Sequence, residues 1–364
     1  MKTLDIQKTQ SINNISSSIV TNTTSNEIFP APSELLNNLL VPKFILESVQ
    51  TYRQQLKTIL NKQDKRLMVI IGPCSIHDPI CALDYAKRLL KLTSKVNEKL
   101  MLVMRTYFEK PRTTIGWKGL ASDPDLDGSY DIRRGIKIAR ELLLEIAGLG
   151  VPTATELLDP MIFPFFNDLI SYVAIGARTC ESQVHRQIAS GLDCPVGLKN
   201  PTDGSITKAI EALEAVTHPH AFLAHNPSYG LQIKRTAGNE FAHIVLRGGV
   251  AANVVTPNYD TASIKSAEDE LTSAQQKQLI VVDCSHNNSQ KKASNQAKVL
   301  HDCLTQIKNG NQSIVGLMLE SNIHHGKQTL ATNTPLCYGV SITDECIGWE
   351  ETEELLLELA SKLY

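Results

Sequence analysis

Eight short apolar runs, each closing near a residue able to grip a metal or an anion, constrain this chain more than any other feature. LMVIIGPC, LMLVMR, PTATE, VAIGAR, PVGLK, HIVLR, LIVVDCSH and SIVGLMLE end at Cys74, Arg105, Glu156, Arg178, Lys199, Arg247, His286 and Glu320. Separated by longer, mostly amphipathic stretches, such runs read as parallel strands alternating with helices. That is the sequence form of an α/β fold of the (β/α)8 TIM-barrel type, in which the C-terminal ends of all eight strands converge on one mouth. Residues far apart in sequence are therefore expected around a single pocket.

A chain of 364 residues exceeds the usual domain of about 100–200 residues, but a barrel of about 250 is commonly one unit. We expect a disordered extension over 1–28, a helical segment over 29–66 and a catalytic barrel over 67–364. The extension is rich in Ser, Thr and Asn, lacks arginine, and has no apolar run of the roughly 7–15 residues a secretory signal needs. Lys+Arg 36 against Asp+Glu 38 gives a net charge of −2, no basis for binding nucleic acid or an anionic membrane. No window approaches the roughly 20 apolar residues of a membrane span. The 8 cysteines form no Cys-x-x-Cys pair, and Cys194, Cys284, Cys303, Cys337 and Cys346 suit core or half-buried thiols in a reducing cytosol.

Ahead of the first run, Ser33 is placed to cap a helix beginning at Glu34, and Lys43–Leu60 carries Phe44, Ile45, Val49, Tyr52, Leu56 and Ile59 at helical spacing. The apolar face of these helices is suited either to plug the barrel floor or to meet another subunit. Further helices are expected over Ile80–Leu92, Ile132–Ile146, Ile206–Val216, Gln290–Ile307 and Trp349–Leu363. Between the fifth and sixth barrel strands the alternation breaks. Ala221–Asn226 and Leu231–Thr236 flank a Pro-Ser-Tyr-Gly turn and predict an accessory β-hairpin at about 219–237.

Cys74, His286, Glu320 and Asp344 supply a thiol, an imidazole and two carboxylates. This mixed set suits one divalent Mn, Fe, Co or Zn ion better than Mg or Ca. Singly, each has a bland reading as a packed thiol or a strand cap; their joint placement at barrel strand ends favours a metal. Arg105, Lys110, Arg112, Arg178, Lys199 and Arg247 form a basic set. Directly after apolar strands such residues are poorly placed for free solvent and well placed to hold phosphate or carboxylate. Lys110-Pro111-Arg112-Thr113-Thr114 adds hydroxyls beside an arginine and reads as a second anion site.

The runs GPCSIHDP, VMRTYFEKPRTTIGWKGL (103–120), IGARTCESQVHR, PVGLKN, HIVLRGG, DCSH and SITDECIGWE resemble those of the type I 3-deoxy-7-phosphoheptulonate (DAHP) synthases, in the feedback-regulated bacterial and fungal branch. The resemblance runs from about residue 30 to the end. It implies condensation of phosphoenolpyruvate with erythrose 4-phosphate at the entry to the shikimate pathway, in a homodimer or homotetramer. The metal ligands fall on Cys74, His286, Glu320 and Asp344. Phoshoenolpyruvate falls to Arg105, Lys110, Glu156, Arg178, Lys199 and Arg247, and the sugar phosphate to Arg112 and Thr113. Lys110, His286 and Cys74 are the expected catalytic residues, Lys110 as proton donor. A synthase acting on another sugar phosphate and a non-catalytic regulatory paralogue stand as alternatives.

The resemblance also implies an aromatic amino-acid inhibitor bound between the hairpin and the barrel. That neighbourhood departs from the family pattern at Asp193, where Ser is usual, at Pro160 and Pro164, and along the hairpin. Further departures are Pro201 after Lys199-Asn200 and His325-Gly326-Lys327-Gln328. A carboxylate at position 193, set near a buried ring, is expected to carry a desolvation cost unless it pairs with a ligand ammonium. Feedback inhibition is therefore expected to be weakened or retuned.

Overall fold

In the structure, a computed structural model, residues 27, 29–226, 230–330 and 335–363 are described. Of the extension expected over 1–28, only residue 27 is among them. The chain opens with helices α1 (Pro32–Asn38) and α2 (Lys43–Leu60), then strand β1 (Leu67–Gly72), α3 (Pro79–Val96), β2 (Leu100–Arg105) and α4 (Ile132–Gly148). Next come β3 (Thr153–Glu156), β4 (Tyr172–Ile175), α5 (Gln183–Ala189), β5 (Val196–Lys199) and α6 (Ile206–Thr217). Two antiparallel hairpins follow in turn, β6 (Ala221–Asn226) with β7 (Gly230–Arg235) before strand β8 (Ala242–Leu246), and β9 (Gly249–Ala251) with β10 (Val254–Thr256) after it. The chain ends with α7 (Thr261–Ser273), β11 (Ile280–Asp283), α8 (Gln296–Lys308), β12 (Ile314–Glu320) and α9 (Trp349–Lys362).

Eight parallel strands close on themselves in the order β1-β12-β11-β8-β5-β4-β3-β2. Period-two alternation divides them into two apolar layers. Met68, Ile70, Met101 and Val103 face one cluster, whereas Val69, Ile71, Leu102 and Met104 face the helix-covered one. The first cluster also holds Leu56, Ile59 and Leu60 from the last turns of α2. Of the two roles open to that helix, these contacts are those of a plug at the barrel floor. Gly197 fits its place in β5 because a Cβ there would lie 2.0 Å from Tyr172 Oη, which meets His243 Nε2 at 2.8 Å inside the barrel.

Local chemistry explains most helix starts. Asp78 accepts the N–H groups of Ile80 and Cys81 ahead of Pro79, and Asp131, Ser205 and Asp260 cap α4, α6 and α7 through their side chains. Two expectations are corrected. The first helix begins at Pro32 after Ala31 and has no side-chain cap, so Ser33 lies inside it. The helix expected from Gln290 begins at Gln296, because Gln290 and Lys291 are left-handed, φ 56 and 59. Past β3, Pro160 and Pro164 interrupt the chain, and Phe163–Phe165 and Asn167–Leu169 form only 3-10 turns.

Arg105, Glu156, Lys199 and Glu320 are the last residues of their strands, while Cys74, Arg178, Arg247 and His286 lie one to three residues beyond. All eight therefore belong to the C-terminal end of the barrel.

Candidate active site

The inner end of the mouth collects the sulfur and oxygen donors. Cys74 Sγ and a carboxylate oxygen each of Glu320 and Asp344 lie within 4.8 Å of one another, and His286 Nε2 stands 3.7 Å from Glu320 Oε1. Asp344 reaches the site from the segment past β12, where its backbone N–H donates to Cys74 Sγ at 3.4 Å. Separations of this size fit a single ion held at roughly 2.0–2.3 Å per ligand, and the N, O and S donors are those of a transition metal.

Lys110 Nζ donates to Cys74 Sγ at 2.8 Å and lies 3.7 Å from Asp344. Burial pushes the Cys74 thiol up to about 12; nearby Glu320 adds to the rise and Lys110 opposes it. Burial also works against the Asp344 carboxylate, yet Lys110 and His286 outweigh it and hold this group well below the usual carboxylate range. Desolvation alone would lower Lys110, but Cys74, Glu320 and Asp344 raise it above its ordinary value. The ammonium is therefore charged at neutral pH.

Arg105 is fully buried behind these groups. Its Nη2 donates to Glu320 Oε1 at 3.1 Å, Nε donates to the Pro73 carbonyl at 3.2 Å, and the guanidinium lies 4.0 Å from the Tyr107 ring centroid. Its Nη1 has no hydrogen-bond partner among the described residues.

Asp283, the last residue of β11, joins two of the predicted residues. Its Oδ2 takes Lys199 Nζ at 2.9 Å and lies 2.9 Å from His286 Nδ1, while Oδ1 accepts the Ser285 hydroxyl at 2.6 Å and backbone N–H at 3.0 Å. Despite full burial, His286 and Lys199 hold this carboxyl well below its ordinary value. His286 itself is left-handed, φ 53, a conformation uncommon outside glycine and typical of constrained sites.

Outward of this layer lies a cavity of about 230 Å³. Lys110, Arg112, Arg178, Lys199, Arg247 and Lys291 line it, against the acidic Glu156 and Asp344. Arg247 is buried, its Nη1 unpaired among the described residues, and burial lowers its pKa. A buried, unpaired guanidinium donor in a cationic cavity is the arrangement of an anion site. Arg178 Nη2 donates to Thr113 Oγ1 at 2.9 Å, and Arg112 Nε to the Trp117 carbonyl at 2.8 Å. Glu156 packs against the backbone of Gly176, where a Cβ would fall 2.1 Å from Oε1. A larger hollow of about 720 Å³, bordered by Leu67 and Ile314 where β1 and β12 begin, contains none of the predicted residues.

All twelve predicted residues are thus at the mouth: nine line the cavity, and Cys74, Arg105 and Glu320 lie deeper. Sequence reasoning missed Asp283 and Lys291. The DCSH run signals the aspartate, but β11 ends at Asp283 and not at His286, and Lys291 sits in a left-handed loop before α8. Asp193 also differs from expectation. It is exposed and paired with Lys57 at 2.8 Å and Arg53 at 3.7 Å on α2, so it bears no desolvation cost against a buried ring.

Residues 44–357 match the sequence model of the DAHP synthetase I family. The chain is 48% identical over 335 residues to the Trp-sensitive phospho-2-dehydro-3-deoxyheptonate aldolase of Escherichia coli (strain K12), covering 92% of this chain and 95% of that one. It is 49% identical over 312 residues to the Tyr-sensitive enzyme of the same organism, covering 85% and 86%. A solved phospho-2-dehydro-3-deoxyheptonate aldolase from Francisella tularensis SCHU S4 superposes with a TM-score of 0.90 at 42% identity, covering 94% of this chain and 98% of that chain. On sequence and fold alike, the chain belongs to the DAHP synthetase I family, the type I DAHP synthases.

Proposed function

We propose that the barrel mouth condenses phosphoenolpyruvate with D-erythrose 4-phosphate and water, giving 3-deoxy-D-arabino-heptulosonate 7-phosphate and phosphate. The observation that carries this reading is the adjacency of a Cys/Glu/Asp donor cluster, with His286 beside it, to a cavity walled by six basic side chains. Arg105, Lys110, Arg178, Lys199 and Arg247 hold the phosphate and carboxylate of phosphoenolpyruvate, with Glu156 beside them. Arg112 and Thr113 take the phosphate of the sugar. Held side by side, two anionic substrates repel; the surrounding cations screen that repulsion and fix the approach of C3 of phosphoenolpyruvate to the aldehyde carbon.

Cys74, His286, Glu320 and Asp344 would hold one divalent ion, whose chemistry when bound is Lewis-acid polarisation of the aldehyde oxygen. Lys110, charged and beside Cys74 and Asp344, delivers a proton to that oxygen as the C–C bond forms, making it the product hydroxyl. Positive charge develops at C2 as the new C–C bond forms. The neighbouring carboxylate of Glu156 favours that charge; water adds at C2 and the C2–O bond to phosphate breaks.

The test mixes purified protein with both substrates, with and without chelator, and identifies the product by mass. A product of the heptulosonate 7-phosphate mass, lost with chelator and in Cys74→Ala, is expected. Turnover that survives both would remove the metal assignment. Preferential use of arabinose 5-phosphate would replace the sugar substrate.

The Trp- and Tyr-sensitive names of the relatives support feedback control by an aromatic amino acid here too. Association into a dimer or tetramer is supported by the exposed apolar side chains Leu223, Leu231 and Ile233 of the β6–β7 hairpin. Sedimentation of the purified chain measures that state.

A further inference from the structure

We propose that Asp283 is a positioning residue that couples the metal-binding histidine to the substrate-binding lysine. The inference rests on the roles given to His286 and Lys199 above. One oxygen, Oδ2, contacts both Lys199 Nζ and His286 Nδ1 at 2.9 Å. The other, Oδ1, is fixed by the hydroxyl and the backbone N–H of Ser285 at 2.6 and 3.0 Å. The carboxylate is fully buried, so its orientation is set by these donors and not by water.

Facing a carboxylate, His286 Nδ1 carries the proton, which leaves the lone pair on Nε2, the nitrogen 3.7 Å from Glu320 Oε1. Ser285 Oγ also lies 2.8 Å from Nδ1; having donated its hydrogen to Asp283, it can only accept there, and it enforces the same tautomer. On the other side, the anchored Lys199 Nζ is held at the cavity wall and does not swing free. Because one oxygen serves both groups, a change at Asp283 reaches the metal and the substrate at once. A carboxylate serving only to neutralise buried charge would need neither the shared oxygen nor the tautomer control.

The test uses full-length protein stripped of metal, with Mn2+ binding read by chelator competition and phosphoenolpyruvate binding read by calorimetry without metal. In Asp283→Asn one acceptor oxygen becomes an NH2 group, which leaves either the Lys199–His286 side or the Ser285 side without its acceptor and so releases the imidazole from its fixed tautomer and orientation. Mn2+ affinity should fall roughly 10–100-fold, and phosphoenolpyruvate affinity should fall as well. The loss of Mn2+ affinity should be absent when the change is made in His286→Ala, and the loss of phosphoenolpyruvate affinity absent in Lys199→Met, since each partner is already gone. Losses that add in those backgrounds, or parental binding by Asp283→Asn, would overturn the coupling. If Asp283→Asn fails to fold, the same cycles run with Asp283→Glu, which keeps the charge but displaces it, under the same criteria. A His286→Ala protein that binds Mn2+ like the parent removes the histidine's assignment and this inference with it. A normal loss in His286→Ala beside an unaffected Asp283→Asn overturns the inference alone.

Discussion

Arg112 and Arg178 approach the cavity from different loops, Arg112 next to Thr113 in the chain and held by its Nε on the Trp117 carbonyl. Arg112→Ala should therefore raise the KM for erythrose 4-phosphate at least about tenfold, the loss of one charge-assisted contact to phosphate, and move that for phosphoenolpyruvate far less. Steady-state kinetics varying each substrate would show it, and equal effects on both would dissolve the two-site picture. A second residue predicts a pH effect. Burial, with Asp159 adding to it, raises Glu109 from 4.5 to about 8. A carboxyl raised on folding contributes stability that is complete below its unfolded value and is lost as pH rises through the folded one. The unfolding midpoint should thus fall between pH ~5 and ~9, and Glu109→Gln should flatten that slope; an unchanged slope would exclude Glu109 as its source. Arg105, Arg178, Lys199 and Arg247 were legible because each closes an apolar run, and Lys110 and Arg112 through the Lys-Pro-Arg-Thr-Thr segment. Asp283 was not, since a strand ending three residues early depends on the left-handed turn at His286, which the residue pattern does not encode.

α2 shows how an element carries two burdens. Its late turns put Leu56, Ile59 and Leu60 into the barrel interior, while Arg53 and Lys57 reach Asp193. Leu56→Ala should cost about 2–5 kcal/mol of stability and leave kcat nearly unchanged, because the floor and the mouth are opposite ends of the barrel. Denaturant melts beside initial rates measure both, and a rate loss matching the stability loss would contradict that separation. Asp193 lies on the connection into β5 and is itself exposed, so solvent screens its pairs with the more buried Arg53 and Lys57 and leaves them worth about 1 kcal/mol. Asp193→Ser should melt near the parent and, since Asp193 is exposed and carries no desolvation cost, leave inhibition close to the parent's when phenylalanine, tyrosine and tryptophan are titrated separately. Clearly different inhibition curves for the two proteins would show that position 193 does set the response. The strongly periodic helices could be read from sequence. α5 and α7 could not: one has seven residues, and the other buries only Ile264, Ala267 and Leu271, a stripe too thin to stand out. The β9–β10 hairpin escaped because its turn rests on left-handed Ala252 and Asn253 in place of glycine.

At the scale of the whole molecule, barrel topology follows from eight spaced runs, and the site follows from the topology. A metal that binds the folded chain alone should raise its melting temperature, with a stabilisation near 2.7 kcal/mol when free metal is 100-fold above Kd. Calorimetry with graded Mn2+ tests this, and a melting temperature indifferent to metal would argue against the four-ligand site. β1 pairs with β12, so the barrel shuts only when its first and last strands meet. Cys74 lies just past the first of these strands, while Glu320 and Asp344 come from the last and beyond it. During synthesis the thiol emerges from the ribosome long before the carboxylates that lie beside it in the folded barrel, so a nascent chain would offer one of the proposed ligands alone. With the ligand set proposed above, metal capture would wait for the closing strand and the segment beyond it, and a chain interrupted before β12 would lack the carboxylates that make the site a chelate.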